Sequence, residues 1–120
     1  MGMWRVFTYN YDKDEDILYL FDKRVSPRGS LVFGDGKIII DYGPSNALAS
    51  LEILDASRYL KGVLGSQAPS PTRLTKVERA KVDIRDQDGI LFLKLVLMMP
   101  GDAQAVRLNV QVPRATQIAA

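Results

Sequence analysis

Residues 31–42 read LVFGDGKIIIDY. Two apolar runs flank the central Gly34-Asp35-Gly36, and Asp-Gly tolerates the positive φ angles of a tight primed turn. The flanking runs are rich in β-branched residues, which favour strands. The segment therefore predicts a β-hairpin, and the following Gly43-Pro44-Ser45 predicts the end of its second strand.

A second hairpin is predicted on the N-terminal side of this segment. Residues 4–11 alternate Phe7, Tyr9 and Tyr11 with the residues between them, and a period of two is typical of a strand. Residues 12–15 are polar and favour a turn, and the run Ile17 to Phe21 is again β-branched and aromatic.

A three-stranded meander is predicted on the C-terminal side. Residues 80–85 alternate apolar and charged side chains, and Asp88-Gly89 makes a turn into the apolar run of residues 90–97. Residues 99–102 place proline and glycine in the central positions of a type II turn. Residues 106–112 then alternate again and predict a last strand with one solvated face.

The middle of the chain is less uniform. Residues 46–54 fit either a helix or a strand by periodicity alone. Residues 55–62 predict a short helix, with an acidic residue at the start, Lys61 in the last turn and Gly62 beyond it. Two prolines in residues 65–72 predict a surface connection without a continuous helix.

These elements predict an α+β fold that is predominantly antiparallel β, with about seven to eight strands and one short helix near 55–63. The strands are expected to form a meander, a sandwich or a barrel-like arrangement. We expect a single domain over residues 1–120. Within it, residues 1–62 carry the hairpins, a strand and the helix, residues 64–72 are a linker and residues 73–113 form the meander.

Composition narrows the chemistry. The 120 residues are 47% hydrophobic, enough for one core. The chain has no cysteine and no histidine, so thiolate chemistry and the commonest general base and metal ligand are excluded.

The longest apolar run, Ile90 to Met99, is interrupted by Lys94 and has about half the length of a membrane-spanning helix. No export signal is visible at the N-terminus, so we expect a cytoplasmic protein without membrane contact.

Charge is unevenly distributed. Residues 1–62 carry eight basic and nine acidic side chains, net −1, and residues 63–120 carry eight basic and five acidic side chains, net +3. The second half therefore permits contact with nucleic acid, although the sequence shows no continuous basic cluster of the kind that usually carries such contact.

Metal and catalytic candidates are weak. Asp12, Asp14 and Asp16 alternate as in a calcium loop, but Ile17 and Lys23 occupy the positions where such a loop needs glycine and glutamate. An acidic hairpin turn is predicted instead, and no metal, cofactor or catalytic residue is assigned.

A polar cluster of Asp16, Asp41 and Glu52 is the strongest remaining candidate, because three strand ends can bring carboxylates together for acid and base chemistry. Ser57 and Lys61, four residues apart, offer a serine with a lysine base. Both patterns are also typical of ordinary structural polar residues.

Aromatic and aliphatic residues supply the candidate interaction surface. Three runs, Ile17 to Phe21, Ile38 to Ile40 and Ile90 to Met99, are apolar on both faces, whereas a half-solvated antiparallel sheet alternates. Faces that the fold leaves uncovered mark interaction sites. The candidate surface residues are Trp4, Phe7, Tyr9, Tyr11, Tyr19, Phe92, Leu95 and Leu97.

The first half of the chain resembles the "domain of unknown function 2283" family over about residues 5–62. The similar segments are Tyr11-Asp12, Asp16 to Leu20, Gly36 to Tyr42, and Ala49 to Ser57, in the family's order. Ser50 stands where the family usually has glycine. The resemblance implies a strand at Leu48 to Leu54 leading into a helix, and it implies an antitoxin-like or other partner-binding role.

Three functions follow as hypotheses. The first is a non-enzymatic protein-interaction module that forms a homo-oligomer, with a dimer favoured, and binds a protein partner. The alternative is a nucleic-acid-binding protein that uses the basic second half or the aromatic strands. The third is a carboxylate-dependent hydrolase that uses Asp16, Asp41 or Glu52.

Overall fold

The computed structural model describes residues 5–101 and 105–113. In these residues eight antiparallel strands form one sheet in the order β3-β4-β5-β2-β1-β6-β7-β8. The strands are β1 (Arg5–Asp12), β2 (Ile17–Phe21), β3 (Gly29–Phe33), β4 (Ile38–Tyr42), β5 (Leu48–Ile53), β6 (Arg79–Gln87), β7 (Ile90–Met98) and β8 (Val106–Pro113). Two helices, α1 (Ala56–Leu64) and α2 (Pro71–Leu74), and two short 3-10 turns lie between β4 and β6.

The hairpin predicted from residues 31–42 is confirmed. Lys37 N donates a hydrogen bond to Gly34 O at 3.0 Å, and the two central residues, Asp35 and Gly36, have φ angles of 54° and 82°. These positive angles are those of a type I′ turn, whose twist matches that of the flanking strands. β3 and β4 therefore pair directly from Phe33 and Ile38 outward.

The strand implied by the family resemblance is also present. β5 pairs with β4 on one side and β2 on the other, which places it in the interior of the sheet. β6, β7 and β8 form the predicted meander, joined first by a turn with positive φ at Asp88 and Gly89. In the predicted type II turn, Gly101 has a φ of 77°, and Asp102 lies outside the described residues.

β1 joins the two halves of the sheet. Its first three residues pair with β6, through Arg5 opposite Val82 and Phe7 opposite Ala80. Its remaining residues, from Thr8 to Asp12, pair with β2. β1 thus pairs with both the N-terminal and the C-terminal strands and connects them into one sheet, as in sheets that fold over themselves.

The sheet curls until its two edge strands approach each other. Gly34 N, in the turn after β3, donates to Pro113 O at the end of β8 over 3.4 Å. The predicted barrel-like arrangement is therefore confirmed as a nearly closed barrel. α1 contacts β8, and its Ala56 and Leu60 are fully buried in the core.

The interior of this barrel is continuous and apolar. It is built from the alternate side chains of every strand together with the buried faces of both helices. The largest fully buried side chains are Phe33, Leu18, Leu20, Ile38, Leu51, Ile53, Leu60, Leu74, Leu91, Leu93, Leu95 and Leu97. No helix in the described ranges has the length and apolar character needed to cross a membrane.

One local expectation is corrected at the end of α1. The helix runs through Gly62, and the glycine at its C-cap is Gly65, with a φ of 62° that a residue with a side chain rarely adopts. After α1, residues 65–70 contain a 3-10 turn, and α2 begins at Pro71. Ser70 Oγ accepts a hydrogen bond from Arg73 N at 3.2 Å, and Pro71 occupies the first helical position.

Glycine to alanine exchanges at two positions are expected to have opposite effects. In Gly43→Ala the new Cβ would lie 2.7 Å from the backbone O of Ser26, so we expect a loss of about 1–3 kcal/mol in the free energy of unfolding. In Gly62→Ala the Cβ meets nothing within 4 Å inside a helix, so we expect a gain of about 0.5–1 kcal/mol. Urea denaturation measures both, and a Gly43→Ala variant as stable as the unchanged protein or more stable would contradict the packing described at Gly43.

Candidate functional site

Asp16 connects the first hairpin to the start of α1. Its carboxylate accepts hydrogen bonds from Tyr11 OH at 2.5 Å, from Ser57 Oγ at 2.7 Å and from Ser57 N at 3.0 Å. Its backbone O also accepts from Ala56 N at 2.8 Å. Helix N-termini leave backbone N–H groups without partners inside the helix, so Asp16 caps α1 from another part of the chain.

The same contacts change the acidity of this cluster. Burial by itself raises the pKa of Asp16, but the hydrogen bonds from Tyr11 and Ser57, together with the charge of Arg58, lower the pKa below its ordinary value. Burial and the hydrogen bond to Asp16 raise the pKa of Tyr11. At neutral pH the pair is therefore a phenol that donates and a carboxylate that accepts, which is a structural arrangement.

The other two carboxylates of the predicted polar cluster lie elsewhere. Asp41 is on the outward face of β4, where it accepts from Ser30 Oγ at 2.5 Å and from Ser50 Oγ at 3.1 Å. Glu52 is on the outward face of β5, opposite Ile39. Asp16 instead lies beside Tyr11, whose ring is part of the core. No described hydrogen bond joins the three carboxylates.

Ser57 and Lys61 border a shallow cleft of about 460 Å³ between α1 and residues 65–71. The Ser57 hydroxyl donates to Asp16, so its hydrogen is directed away from a lysine base. The remaining lining consists mainly of small residues and prolines. In the part of the chain that the structure describes, no three acidic side chains gather in a way that could hold a metal ion.

The candidate interaction residues separate into core and surface. Phe7, Tyr11, Leu95 and Leu97 lie in the core, because each occupies an inward position of its strand. Tyr9 packs against the same core and donates from its hydroxyl to Leu74 O at 2.7 Å, which ties α2 to β1. Tyr19 and Phe92 are outward and partly exposed, and Trp4 lies outside the described residues.

A row of apolar side chains crosses the outward face of the N-terminal strands. The strand register places Val32 opposite Ile39, Ile39 opposite Glu52, and Glu52 opposite Tyr19. Phe21 stacks on Tyr19 with ring centroids 5.1 Å apart. We call Val32, Ile39, Tyr19 and Phe21 the apolar row. Val32 is 37% exposed and the other three are partly exposed, so these four apolar side chains meet solvent on a face that also carries Glu52 and Asp41.

The outward face of the C-terminal meander has the opposite character. Among the side chains that the structure describes, five cationic ones project from it with one acidic side chain, Asp83, among them. These residues, with Phe92 opposite Arg85 at one end of the group, form what we call the basic face. Its cations are Arg79, Lys81, Arg85, Lys94 and Arg107.

The sequence analysis missed this basic face because its cations are scattered along 29 positions, from Arg79 to Arg107. Arg79, Lys81 and Arg85 lie on β6 and are separated by two and four residues. Side chains separated by an even number of residues lie on the same side of a strand, and this alternation was the signal that could have placed the three on one face. The register then adds Arg107, which lies next to Val96 on the side away from Lys81. Only the pairing of the strands brings these charges together.

The fold and its two outward faces define the class of protein as an α+β domain built on a nearly closed, barrel-like antiparallel sheet. Residues 8–57 match the model of the family described as "Protein of unknown function (DUF2283)". The resemblance inferred from the first half of the chain is thereby confirmed. The match ends at Ser57, just inside α1, so β6–β8 lie beyond it. Neither the curated proteins nor the solved structures contained a match to the chain.

Proposed function

We propose that the protein is a non-enzymatic interaction module that forms a homodimer through the apolar row. The observation that carries the proposal is the row itself, whose members stand on β3, β4 and β2, with Glu52 of β5 between Ile39 and Tyr19, on the face turned away from the core. Apolar side chains that are contiguous and exposed mark interaction sites in folded proteins. Two sheets that pack face to face at about 10 Å would bury such a row.

The charges around the row favour a second copy of this chain as the partner. Glu52 lies within the row between Ile39 and Tyr19, and Lys23 Nζ lies 5.9 Å from the centroid of the Phe21 ring at one end of it. In a two-fold dimer the same patch meets itself in reverse. Lys23 of one copy can then approach Glu52 of the other, so the patch is complementary to itself in charge as well as in apolar surface.

The hydrogen bonds of the polar residues support a role without catalysis. Asp16 and Ser57 secure the start of α1. Asp41 is held by Ser30 and Ser50. Each group that the sequence offered for acid, base or nucleophilic chemistry, apart from Glu52 and Lys61, is engaged in a contact that stabilises the fold. An antitoxin-like role stays a prediction of the family resemblance.

The proposal predicts that Ile39→Ser weakens dimerisation while the fold is retained. Both copies lose an apolar side chain from the interface, which costs about 2–5 kcal/mol in total and raises the dissociation constant by at least about thirtyfold. Light scattering on a size-exclusion column measures the mass over a range of concentrations. We expect twice the mass of one chain for the unchanged protein and a shift to the monomer for the variant.

Ile90→Ser is the matched control for this experiment. Ile90 is 37% exposed and lies at the start of β7, outside the apolar row. The control is expected to keep the dimer mass, and circular dichroism checks that both variants are folded. A monomeric unchanged protein, or a dimer that Ile90→Ser dissociates and Ile39→Ser does not, would contradict the proposed interface.

A further inference from the structure

The basic face differs from the rest of the described surface in how its charges are arranged. Lys81 and Arg107 flank Val96 in the strand register, and this outward side chain is only 7% exposed. Arg85, Lys94 and Arg79 project from the same side. None of the five cations forms an ion pair within residues 5–101 and 105–113. Their charge therefore remains available to an external anion.

An aromatic ring lies among these cations. Phe92 is partly exposed, and the Arg85 guanidinium carbon lies 5.9 Å from the centroid of its ring. On the next strand Gln111 is opposite Phe92, and Asn109 is opposite Lys94. The face thus combines a flat apolar ring with Arg85 and Lys94 near it, three further cations along the same strands, and two amide groups that both donate and accept hydrogen bonds.

We propose that the basic face binds single-stranded nucleic acid, with one base stacked on Phe92 and the phosphates held by the five cations. Stacking on an aromatic side chain and neutralisation of phosphates by lysine and arginine are the two contributions that hold a single strand on a protein surface. The amides of Asn109 and Gln111 lie where they can reach the edge of the stacked base.

The shape of the face favours a single strand over a duplex. Reading a duplex requires an element narrow enough to enter a groove, such as a helix or a two-stranded ribbon. β7 is instead the middle strand of three, and Phe92 stands on it with a strand on either side. In a duplex the flat faces of the bases are stacked on each other, so the ring of Phe92 gains a partner only from an unpaired base.

This inference is independent of the proposed dimer. The basic face belongs to β6–β8 and the apolar row to β2–β5, so a monomer presents the whole basic face. Failure of the dimer therefore leaves the nucleic-acid proposal standing, and failure of nucleic-acid binding leaves the dimer standing. The mass of each variant is measured beside its binding, so that the two results are not confused.

The test uses fluorescence anisotropy with labelled twelve-residue oligouridylate and oligothymidylate. If about four phosphates are contacted, the logarithm of the association constant falls with the logarithm of salt with a slope of about −2.8. Raising the salt from about 50 to 200 mM then weakens binding about fiftyfold. The comparison of the two probes shows whether the 2′-hydroxyl contributes, and a duplex of matched length is expected to bind more weakly.

Two variants test the named residues. Lys94→Gln is expected to reduce the salt slope by about 0.7, because one phosphate contact is lost. Phe92→Leu keeps an apolar side chain but removes the aromatic face, and it is expected to weaken binding about tenfold with the slope unchanged. Circular dichroism of both variants checks that they are folded.

The chain contains a matched control for this aromatic and cation pair. Lys23 Nζ lies 5.9 Å from the Phe21 ring centroid, the same distance as between Arg85 and Phe92, but on the other half of the sheet. Lys23→Gln and Phe21→Leu are expected to bind the oligonucleotides as the unchanged protein does, at equal oligomeric state. If these variants lose binding while Lys94→Gln and Phe92→Leu retain it, the proposed site is wrong.

Two further outcomes would overturn the proposal. One is the absence of binding to either oligonucleotide at low salt, or binding that ignores salt. The other is equal binding of poly-glutamate and of the oligonucleotides, with no effect of Phe92→Leu. That second result would assign the face to acidic protein surfaces, because stacking would contribute nothing.

Discussion

Replacement of Phe33 with alanine is expected to lower the free energy of unfolding by about 3–5 kcal/mol. Phe33 is fully buried and is the largest of the fully buried side chains. It ends β3, the strand at one edge of the sheet, and the next residue, Gly34, makes the hydrogen bond to the end of β8. The ring therefore fills the interior where the barrel nearly closes, and its removal leaves a cavity as well as unburied apolar surface.

Val32→Ala is the control for this prediction. Val32 precedes Phe33 on the same strand but points outward, and it is 37% exposed. At a protein concentration low enough to keep the chain monomeric, so that the proposed dimer interface does not contribute, its truncation is expected to change the free energy of unfolding by no more than about 0.5 kcal/mol, as is usual for a surface site. Guanidinium denaturation of the two variants measures the difference. Equal effects at Phe33 and Val32 would contradict the inward and outward assignment of β3.

The second large effect is expected from Asp16→Ala, at about 2–4 kcal/mol. The exchange leaves Tyr11 OH and Ser57 N without the acceptor that they have in the folded protein. It also places alanine at a φ of 55°, a left-handed conformation that disfavours residues with a Cβ by about 1–2 kcal/mol. Loss of the cap and backbone strain therefore act in the same direction.

Asp16→Asn separates these two contributions. Asparagine tolerates the left-handed conformation and keeps one side-chain acceptor, so its expected loss is smaller, about 1 kcal/mol. Denaturant unfolding at neutral pH measures both variants. A loss in Asp16→Asn as large as that in Asp16→Ala would show that the charge, and not the backbone conformation, carries the effect.

The charge of Asp16 also predicts a pH dependence. Because its pKa is lower in the folded protein than in the unfolded chain, the unfolded chain binds the proton more readily, and stability rises with pH. The contribution is fully present above the ordinary aspartate pKa of about 4 and is lost as the pH falls through the lower folded value. The stability gap between the unchanged protein and Asp16→Asn is therefore expected to narrow on acidification. A gap that is constant from pH 7 to about pH 2 would contradict the assigned role of the carboxylate.

The family match covers one of the two proposed surfaces and not the other. The four residues of the apolar row all fall within residues 8–57, whereas the basic face begins at Arg79. We expect self-association to be the property that this chain shares with the family segment. The proposed binding of a single strand would then be a property of the additional meander.

Much of the strand pattern could be predicted from local signals. Asp35-Gly36 and Asp88-Gly89 predicted their turns because these dipeptides accept positive φ at little cost, and both adopt it. The short helix near 55–63 was predicted by its acidic start and by Lys61 in its last turn. Its end was misplaced at Gly62, because a glycine in the last turn and a glycine at the C-cap look alike until the backbone angles are known.

The candidate site was harder to predict because side-chain partners depend on distant segments. Asp16 and Ser57 are 41 positions apart, and their contact arises only when β5 delivers α1 to the first hairpin. The carboxylates of Asp16 and Asp41 appeared equivalent in the sequence. In the fold the first lies at the core beside Tyr11 and the second on the outward face of β4.

By itself the sequence determined the class of structure, the positions of the turns and the alternation of each strand, because these depend on neighbours a few residues apart. Only the tertiary structure decided which face of each strand is buried and which strands lie side by side. For the segment 31–42, alternation separates Ile38 and Ile40 from Ile39, but the closing of the barrel decides that Ile39 is the one left outside. Burial depends on the packing of all eight strands together, so no single strand determines which of its faces is buried. Arg79 and Arg107 share a surface because the strand register of β6, β7 and β8 places them on the same face.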